Sequence, residues 1–159
     1  MRNPQRSPQL QQWVAAEKIN NLTVLSMDVN DDKSIQDAVD YIMTNEKQID
    51  ALVNNAGVGS WGALEELSME FFRTDMETNY FGTVRCIKAV TPSMRKRRSG
   101  TIINVTSVAG KLYSNFHAPY CSSKATTEAM SEALSQELIP YNVRVALVEP
   151  GIIETPIFK

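Results

Sequence analysis

Short apolar runs that end at a polar residue or a proline alternate along this chain with longer stretches of helical periodicity. The apolar runs lie at 22–27, 51–53, 101–106 and 143–148. Between the first two, Ile35, Ala38 and Ile42 recur at helical spacing. Nearly continuous apolar strands alternating with helices are typical of a parallel sheet covered on both faces. The sequence therefore predicts an α/β fold, with a doubly wound parallel sheet in a three-layer α/β/α arrangement.

Three further helices are expected from Ser68 onwards. Ser68 should begin a short one, and longer ones are predicted at 79–98 and 118–139. Pro92 is expected to kink the 79–98 helix. The basic run at 95–98 could bind nucleic acid, but it suits a helix C-terminus better, with the glycine that follows ending the helix.

Chemically informative residues stand at the ends of the predicted strands. Asp28, Asn54, Ser107 and Pro150 all lie at or just past the carboxyl end of an apolar run. In open α/β sheets, ligands bind outside the carboxyl ends of the strands. The pattern therefore indicates a nucleotide site at this edge of the sheet.

Tyr120 and Lys124 stand four residues apart at the start of a predicted helix. That spacing places both side chains on one helical face. A lysine ammonium beside a phenol favours the phenolate, so we expect the pKa of Tyr120 to fall below its ordinary value. Such a tyrosine could exchange a proton with an alcohol or carbonyl oxygen, and Ser107 could hydrogen-bond the same oxygen.

The order and spacing of these residues carry a family resemblance over almost the whole chain. The set consists of Asp28-Val29, Asn54-Asn55-Ala56-Gly57, Asn79, Thr106-Ser107, Tyr120 with Lys124, and Pro150-Gly151. In these motifs the chain resembles the short-chain dehydrogenase/reductase family. The resemblance implies a Rossmann-like dinucleotide-binding domain over 1–159 and hydride transfer between a nicotinamide cofactor and an alcohol or carbonyl substrate.

The resemblance also implies a role for each of four catalytic residues. Tyr120 would be the general acid/base, and Lys124 would lower its pKa and bind the nicotinamide ribose. Ser107 would orient the substrate oxygen. Asn79 would hold a water molecule that links the lysine to solvent.

Further residues match family positions around the adenosine half of the cofactor. Asp28, followed by Val29, matches the acceptor for the adenine amino group, although it could instead cap the helix that follows. Asn54, Ala56 and Gly57 belong to a turn that packs beside the adenosine and steadies the central strand.

At the two ends of the chain, other residues match the remaining parts of the cofactor. Pro150, Gly151, Ile153 and Thr155 correspond to the segment that meets the nicotinamide carboxamide, although Thr155 could equally be an ordinary loop residue. Arg2 stands where a basic side chain pairs with the 2′-phosphate of NADP. We therefore expect NADP(H) as cofactor, with NAD(H) possible.

The sequence leaves open the roles of the aromatic residues near Tyr120. His117 could serve as a second acid/base, although a pocket wall or helix-start role is favoured. Trp61, Tyr113 and Phe116 could line the substrate pocket or belong to the core. The Gly57–Gly62 segment and the Tyr120–Ala125 segment are most similar to the steroid- and retinol-dehydrogenase-like branch, which implies an apolar alcohol or ketone.

The chain lacks the glycine-rich phosphate turn with which a dinucleotide fold normally opens. The glycines at 57, 59 and 62 follow the wrong strand for that role. We therefore expect an incomplete domain, without the first strand–helix unit, the substrate lid and the last strand. Residues 1–159 alone should neither bind NADP(H) tightly nor turn over substrate.

Composition narrows the possible partners. The net charge is −2 with 21% charged residues, which suggests no nucleic-acid partner. No apolar run approaches the roughly 20 residues of a membrane span. Two cysteines without metal-ligand spacing predict no metal site and suit a cytoplasmic protein. Small residues on the Tyr120 helix could allow a homo-oligomer of the complete protein to pack: Ala118, Ala125, Ala129 and Ala133.

Two rival functions remain open from sequence. A sugar-nucleotide epimerase or dehydratase shares the tyrosine–lysine pair, although the Asn54–Gly57 turn argues against it. A truncated, catalytically inactive relative that binds a partner is the other alternative. An upstream strand with a glycine-rich turn would favour the enzyme.

Overall fold

The structure, a computed structural model, describes residues 12–13, 21–151 and 153. Arg2 and Thr155 lie outside the described residues. The helices are α1 (Asp32–Asn45), α2 (Met69–Met76), α3 (Gly82–Arg97) and α4 (Ala118–Leu138), and the strands are β1 (Ala51–Asn54), β2 (Gly100–Val105) and β3 (Val143–Val148). A π turn (Glu77–Phe81) precedes α3, and 3₁₀ turns lie before and after α4 (Val108–Gly110 and Ile139–Tyr141).

The described strands form one parallel sheet in the order β1-β2-β3. Leu52 of β1 pairs with Ile102 of β2, which pairs with Val145 of β3. The predicted strands at 51–53, 101–106 and 143–148 are thus confirmed to within one residue at each end. Since the strands are parallel, their carboxyl ends meet at one edge, where the predicted site residues lie.

The apolar run at 22–27 was expected to form a buried strand, and that prediction is wrong. The sheet of the described residues contains β1, β2 and β3, and residues 22–28 are in neither strand nor helix. Leu22 is 43% exposed. An apolar run indicates a tendency to be buried, but pairing depends on which neighbours the tertiary structure supplies.

The core lies between the sheet and a single layer of helices. Leu52, Ile102 and Val145 face this layer and pack with residues of α1, α3 and α4. The side chains that alternate with them point away, and Val53 and Val148 are 56% and 45% exposed. Helices α1, α3 and α4 therefore pack on the same face of the sheet.

The two helices predicted after Ser68 form one continuous helical run. Ser68 occupies the N-cap position of α2, and α2 passes through the π turn directly into α3. The π turn contains Asn79, a poor helix former. Single π turns inside helices frequently occur at functional sites.

The end of α3 differs in detail from the prediction. The C-cap is Arg98, in the left-handed conformation with φ of 55°, whereas Gly100 begins β2. The basic residues beside the cap bind nearby groups: Arg97 donates to the Ile49 carbonyl at 2.7 Å, and Arg95 donates to the Tyr141 hydroxyl at 2.8 Å. The basic run thus stabilises a helix end within the fold.

Candidate active site

Ser107, Tyr120 and Lys124 meet at the carboxyl end of β2. The chain leaves β2 at Val105, and Ser107 caps the following 3₁₀ turn by accepting a bond from the Ala109 amide at 3.1 Å. Tyr120 lies in the first turn of α4, and Lys124 lies one turn later. The Ser107 side chain lies close enough to Tyr120 for its hydrogen-bonding capacity to act on the pKa of that phenol. The structure therefore brings together three of the four predicted catalytic residues.

Lys124 is a buried cation in this cluster. Its side chain reaches the strand, where Nζ donates to the Val105 carbonyl at 3.0 Å, and the residue is only 6% exposed. Burial lowers the pKa of Lys124 to about 8. The ammonium lies 5.6 Å from the centre of the Tyr120 ring, so the two side chains share one face of α4 as predicted.

The predicted fall in the pKa of Tyr120 is wrong. Burial raises the pKa of this phenol above its ordinary value, and the hydrogen bond with Ser107 only partly opposes that rise. The negative charge of Asp75 adds to the increase. The residue spacing reveals only the favourable charge of the Lys124 ammonium, whereas the folded protein adds the cost of desolvating the Tyr120 phenolate.

Asn79, the fourth predicted catalytic residue, uses its side chain to hold the loop beside the site. Its Nδ2 donates to the Val58 carbonyl at 2.9 Å and to the Ser123 hydroxyl at 2.8 Å. Its Oδ1 accepts from the Val58 amide at 2.9 Å. The residue is 2% exposed, so its carboxamide links the π turn, the 55–60 loop and α4 directly. The predicted water contact stays a prediction.

A buried polar chain connects β1, β2 and α4 just below the site. Asn54 Nδ2 donates to Asn104 Oδ1 at 2.8 Å, and Asn104 Nδ2 donates to the Ser131 hydroxyl at 2.8 Å. Asn104 is fully buried. The sequence analysis missed this residue, although an asparagine inside an apolar strand needs hydrogen-bonding partners and was therefore a detectable signal.

Asp75 is a second residue that the sequence analysis missed. Its carboxylate accepts bonds from the Ser60 amide at 3.1 Å and the Ser60 hydroxyl at 2.8 Å. Asp75 is fully buried in α2, and burial raises the pKa of its carboxyl. The contact fixes the 57–62 loop, which carries Trp61 towards Tyr120.

Aromatic and aliphatic side chains on the loops around the site are largely exposed. Trp61, Tyr113 and Phe116 are 55%, 73% and 62% exposed, so none of them belongs to the core. The Gly62 amide donates to the Phe116 carbonyl at 2.8 Å, which joins the two loops that carry them. These loops therefore expose aromatic rings beside the candidate site.

Predicted cofactor residues from two parts of the chain line two adjoining grooves. Asp28, Val29, Ala56 and Gly57 line a groove of about 280 Å³, and Asn54 lines an adjoining groove of about 340 Å³ that shares Val29 and Ala56. The structure thus brings together all five residues predicted to surround the adenosine.

The groove includes Gly57, which lies beside Asn79 and the catalytic lysine. A methyl group added at Gly57 would lie 3.2 Å from Asn79 Oδ1, which is a tight contact, and 3.7 Å from Lys124 Nζ. At its other end, Asp28 Oδ1 accepts from the Asn30 amide at 3.0 Å, while Asp31 is the N-cap of α1. Asp28 is thus part of the turn before α1 rather than its cap.

The predicted nicotinamide segment follows β3. The Pro150 carbonyl accepts from the Val108 amide at 3.0 Å, which places Pro150 beside the turn that Ser107 caps. Gly151 is exposed, and Ile153 is 56% exposed. These three residues lie at the same edge of the sheet as Ser107.

Among residues 12–13, 21–151 and 153, no group of histidine, cysteine, aspartate and glutamate side chains could hold a metal ion. No helix of that part has the length and apolar character needed to cross a membrane.

Comparison with known proteins gives consistent matches. Over 140 residues the chain is 41% identical to 3-ketodihydrosphingosine reductase of Bacteroides thetaiotaomicron, covering 88% of this chain and 52% of the relative. Over 134 residues it is 43% identical to retinol dehydrogenase 8 of Bos taurus, covering 84% of this chain and 42% of that relative. The chain thus spans about half the length of these curated relatives.

A solved structure also matches the chain closely. Gluconate 5-dehydrogenase from Burkholderia cenocepacia, in complex with NADP and tartrate, superposes with a TM-score of 0.90 at 25% identity, covering 100% of this chain and 62% of that one. The family model for short chain dehydrogenases matches residues 2–159. The chain therefore belongs to the short-chain dehydrogenase family and has its Rossmann-like fold.

Proposed function

We propose that this chain contains the catalytic centre of an NADP(H)-preferring oxidoreductase that interconverts an apolar alcohol and the corresponding ketone or aldehyde. The placement of Ser107 and Tyr120 at the carboxyl end of β2, beside the buried cation of Lys124, carries this proposal. It supplies a proton donor and a second hydrogen-bond donor for one substrate oxygen.

The roles of the residues follow from these contacts. In the direction of reduction, the Tyr120 hydroxyl donates its proton to the carbonyl oxygen, while Ser107 hydrogen-bonds that oxygen and orients it. In oxidation the proton moves back to Tyr120. The charge of Lys124 stabilises the phenolate left on Tyr120. Asn79 holds the loop against α4.

The residues that line the groove support the binding of a nicotinamide dinucleotide. Asp28 and Val29 would bind its adenine end, Ala56 and Gly57 would lie along it, and Lys124 would bind the ribose at the reacting end. When bound, the cofactor would supply or accept the hydride. NADP bound to the related gluconate 5-dehydrogenase supports this proposal, and the preference for NADP(H) rests on Arg2.

Exposed apolar side chains on the loops beside the site support the class of substrate. Leu64 and Leu112 are 66% and 73% exposed, in addition to the exposed rings of Trp61, Tyr113 and Phe116. The relatives 3-ketodihydrosphingosine reductase and retinol dehydrogenase 8 are named after a keto substrate and an alcohol substrate. A homo-oligomer and the inactivity of residues 1–159 alone stay predictions.

The test replaces Tyr120 with Phe. It uses this chain joined to the glycine-rich unit and C-terminal segment that the resemblance predicts, which we call the completed protein. Turnover should fall about 10²-fold or more, the usual contribution of a positioned acid/base, while the Kd for NADPH changes little. Tyr41→Phe, at an exposed tyrosine of α1 to which no role in the site is given, is the matched control. Wild-type turnover in Tyr120→Phe would contradict the proposal.

A further inference from the structure

Three aromatic rings form a continuous stack that ends on Tyr120. The imidazole of His117 lies parallel to the Trp61 ring, with 3.8 Å between centroids and 18° between planes. Its other neighbour is Tyr120, with 4.6 Å between centroids and 16° between planes. Trp61 is 55% exposed and His117 only 5%, so the tryptophan covers the histidine, which covers the tyrosine.

Contacts of neighbouring residues hold His117 and Trp61 in place. His117 is the N-cap residue of α4, and its carbonyl accepts from the Cys121 amide at 2.9 Å. Trp61 follows Ser60, which Asp75 fixes through two hydrogen bonds. The loop approaches the rings at Gly59, where a methyl group would lie 3.3 Å from Tyr120 Cδ2 and 3.7 Å from His117 Nε2. A side chain at 59 would press on the stack.

The surroundings of His117 suit a neutral ring. Burial lowers the pKa of its imidazole below the ordinary value, because the charged form would lose its hydration. Near neutral pH the ring therefore carries no charge and presents two flat faces to its neighbours. Parallel aromatic rings at such separations attract each other beyond their area of contact.

We propose that His117 is a positioning residue, which by stacking between Trp61 and Tyr120 holds the Tyr120 ring so that its hydroxyl meets Ser107 and the substrate oxygen. The imidazole nitrogens take no part in proton transfer. This inference rests on the proposed function of Tyr120. It assigns the same task to any flat ring at position 117.

The kinetic test compares His117→Phe with His117→Leu in the completed protein. Both variants are apolar and similar in volume, but only phenylalanine can stack. His117→Phe should keep wild-type kcat and the wild-type pH profile. His117→Leu should lower kcat about 10- to 100-fold, as a slightly misplaced reacting group does, with little change in the Kd for NADPH. Equal losses in both variants, or no loss in either, would overturn the proposal.

A spectroscopic test is independent of turnover. The imidazole C–H resonances of His117, assigned by their disappearance in His117→Phe, should lie upfield because the ring is sandwiched between two aromatic faces. Trp61→Leu should move them downfield. Resonances at the position of free histidine in the folded wild type would overturn the stack. If the wild type turns over no carbonyl or alcohol, the proposed function fails, and this measurement alone still decides whether the stack exists.

Discussion

Lys124 donates a hydrogen bond from Nζ to the backbone carbonyl of Val105, with 3.0 Å between nitrogen and oxygen. Val105 is the last residue of β2, two positions before Ser107. The contact therefore ties α4, which carries Tyr120, to the strand that delivers Ser107. It also places a cation where burial lowers its pKa to about 8.

The first prediction follows from that pKa. Between about pH 8 and the ordinary lysine value near 10.5, Lys124 binds a proton in the unfolded chain but not in the folded one. The free energy of unfolding of the wild type should therefore rise with pH in this window, relative to Lys124→Met. Urea unfolding of both proteins below and within the window measures the difference. Parallel curves would show that Lys124 does not titrate there.

The second prediction concerns the contact between Asp75 and Ser60. Asp75→Ala should lower the free energy of unfolding by about 1–3 kcal/mol, because the half-buried Ser60 amide loses its acceptor. Asp75→Asn should cost less, since a carboxamide can accept from that amide and donate to the Ser60 hydroxyl. Denaturant unfolding at neutral pH compares the three proteins. A larger loss in Asp75→Asn would show that the negative charge itself stabilises the loop.

The Asp75 carboxyl also gives that comparison a pH dependence. Because burial raises its pKa, the folded protein holds this proton at pH values where the unfolded chain has released it. The wild type should therefore lose stability relative to Asp75→Asn as the pH rises from the ordinary carboxyl value through the raised one. A difference that is constant with pH would contradict the raised pKa.

A third prediction concerns Asn104. Asn104→Ala should lower the free energy of unfolding by about 2–4 kcal/mol, since Asn54 and Ser131 each lose a buried partner and a cavity opens. Asn115→Ala, at an exposed asparagine, is the control and should change stability by less than about 0.5 kcal/mol. Equal effects of the two substitutions would show that the buried polar chain contributes no stability.

Cofactor choice supplies the fourth prediction. In the completed protein, Arg2 should favour NADP(H) over NAD(H) by about 1–3 kcal/mol, the scale of charge-assisted hydrogen bonds. Arg2→Asp should remove that preference, whereas Lys47→Asp, at an exposed lysine, should keep it. The ratio of kcat/KM for the two cofactors measures the effect. An unchanged ratio in Arg2→Asp would show that this arginine does not bind the 2′-phosphate.

Local sequence patterns were sufficient for most of the secondary structure. The strands at 51–53, 101–106 and 143–148 and the helix from Ala118 lie where periodicity placed them. Periodicity could not show that α2 and α3 join through a π turn, because that turn is fixed by the bonds of Asn79 to Val58 and Ser123. These partners lie 21 and 44 residues away along the chain.

The sequence by itself determined that Tyr120 and Lys124 share a helical face, because the four-residue spacing imposes this on any α-helix. It also determined that Asn54 and Ser107 follow strands and so meet at one edge of a parallel sheet. Only the tertiary structure decided that the pKa of Tyr120 rises and that Trp61 stacks on His117. Burial and ring contacts depend on residues far apart in sequence, whose approach no local pattern encodes.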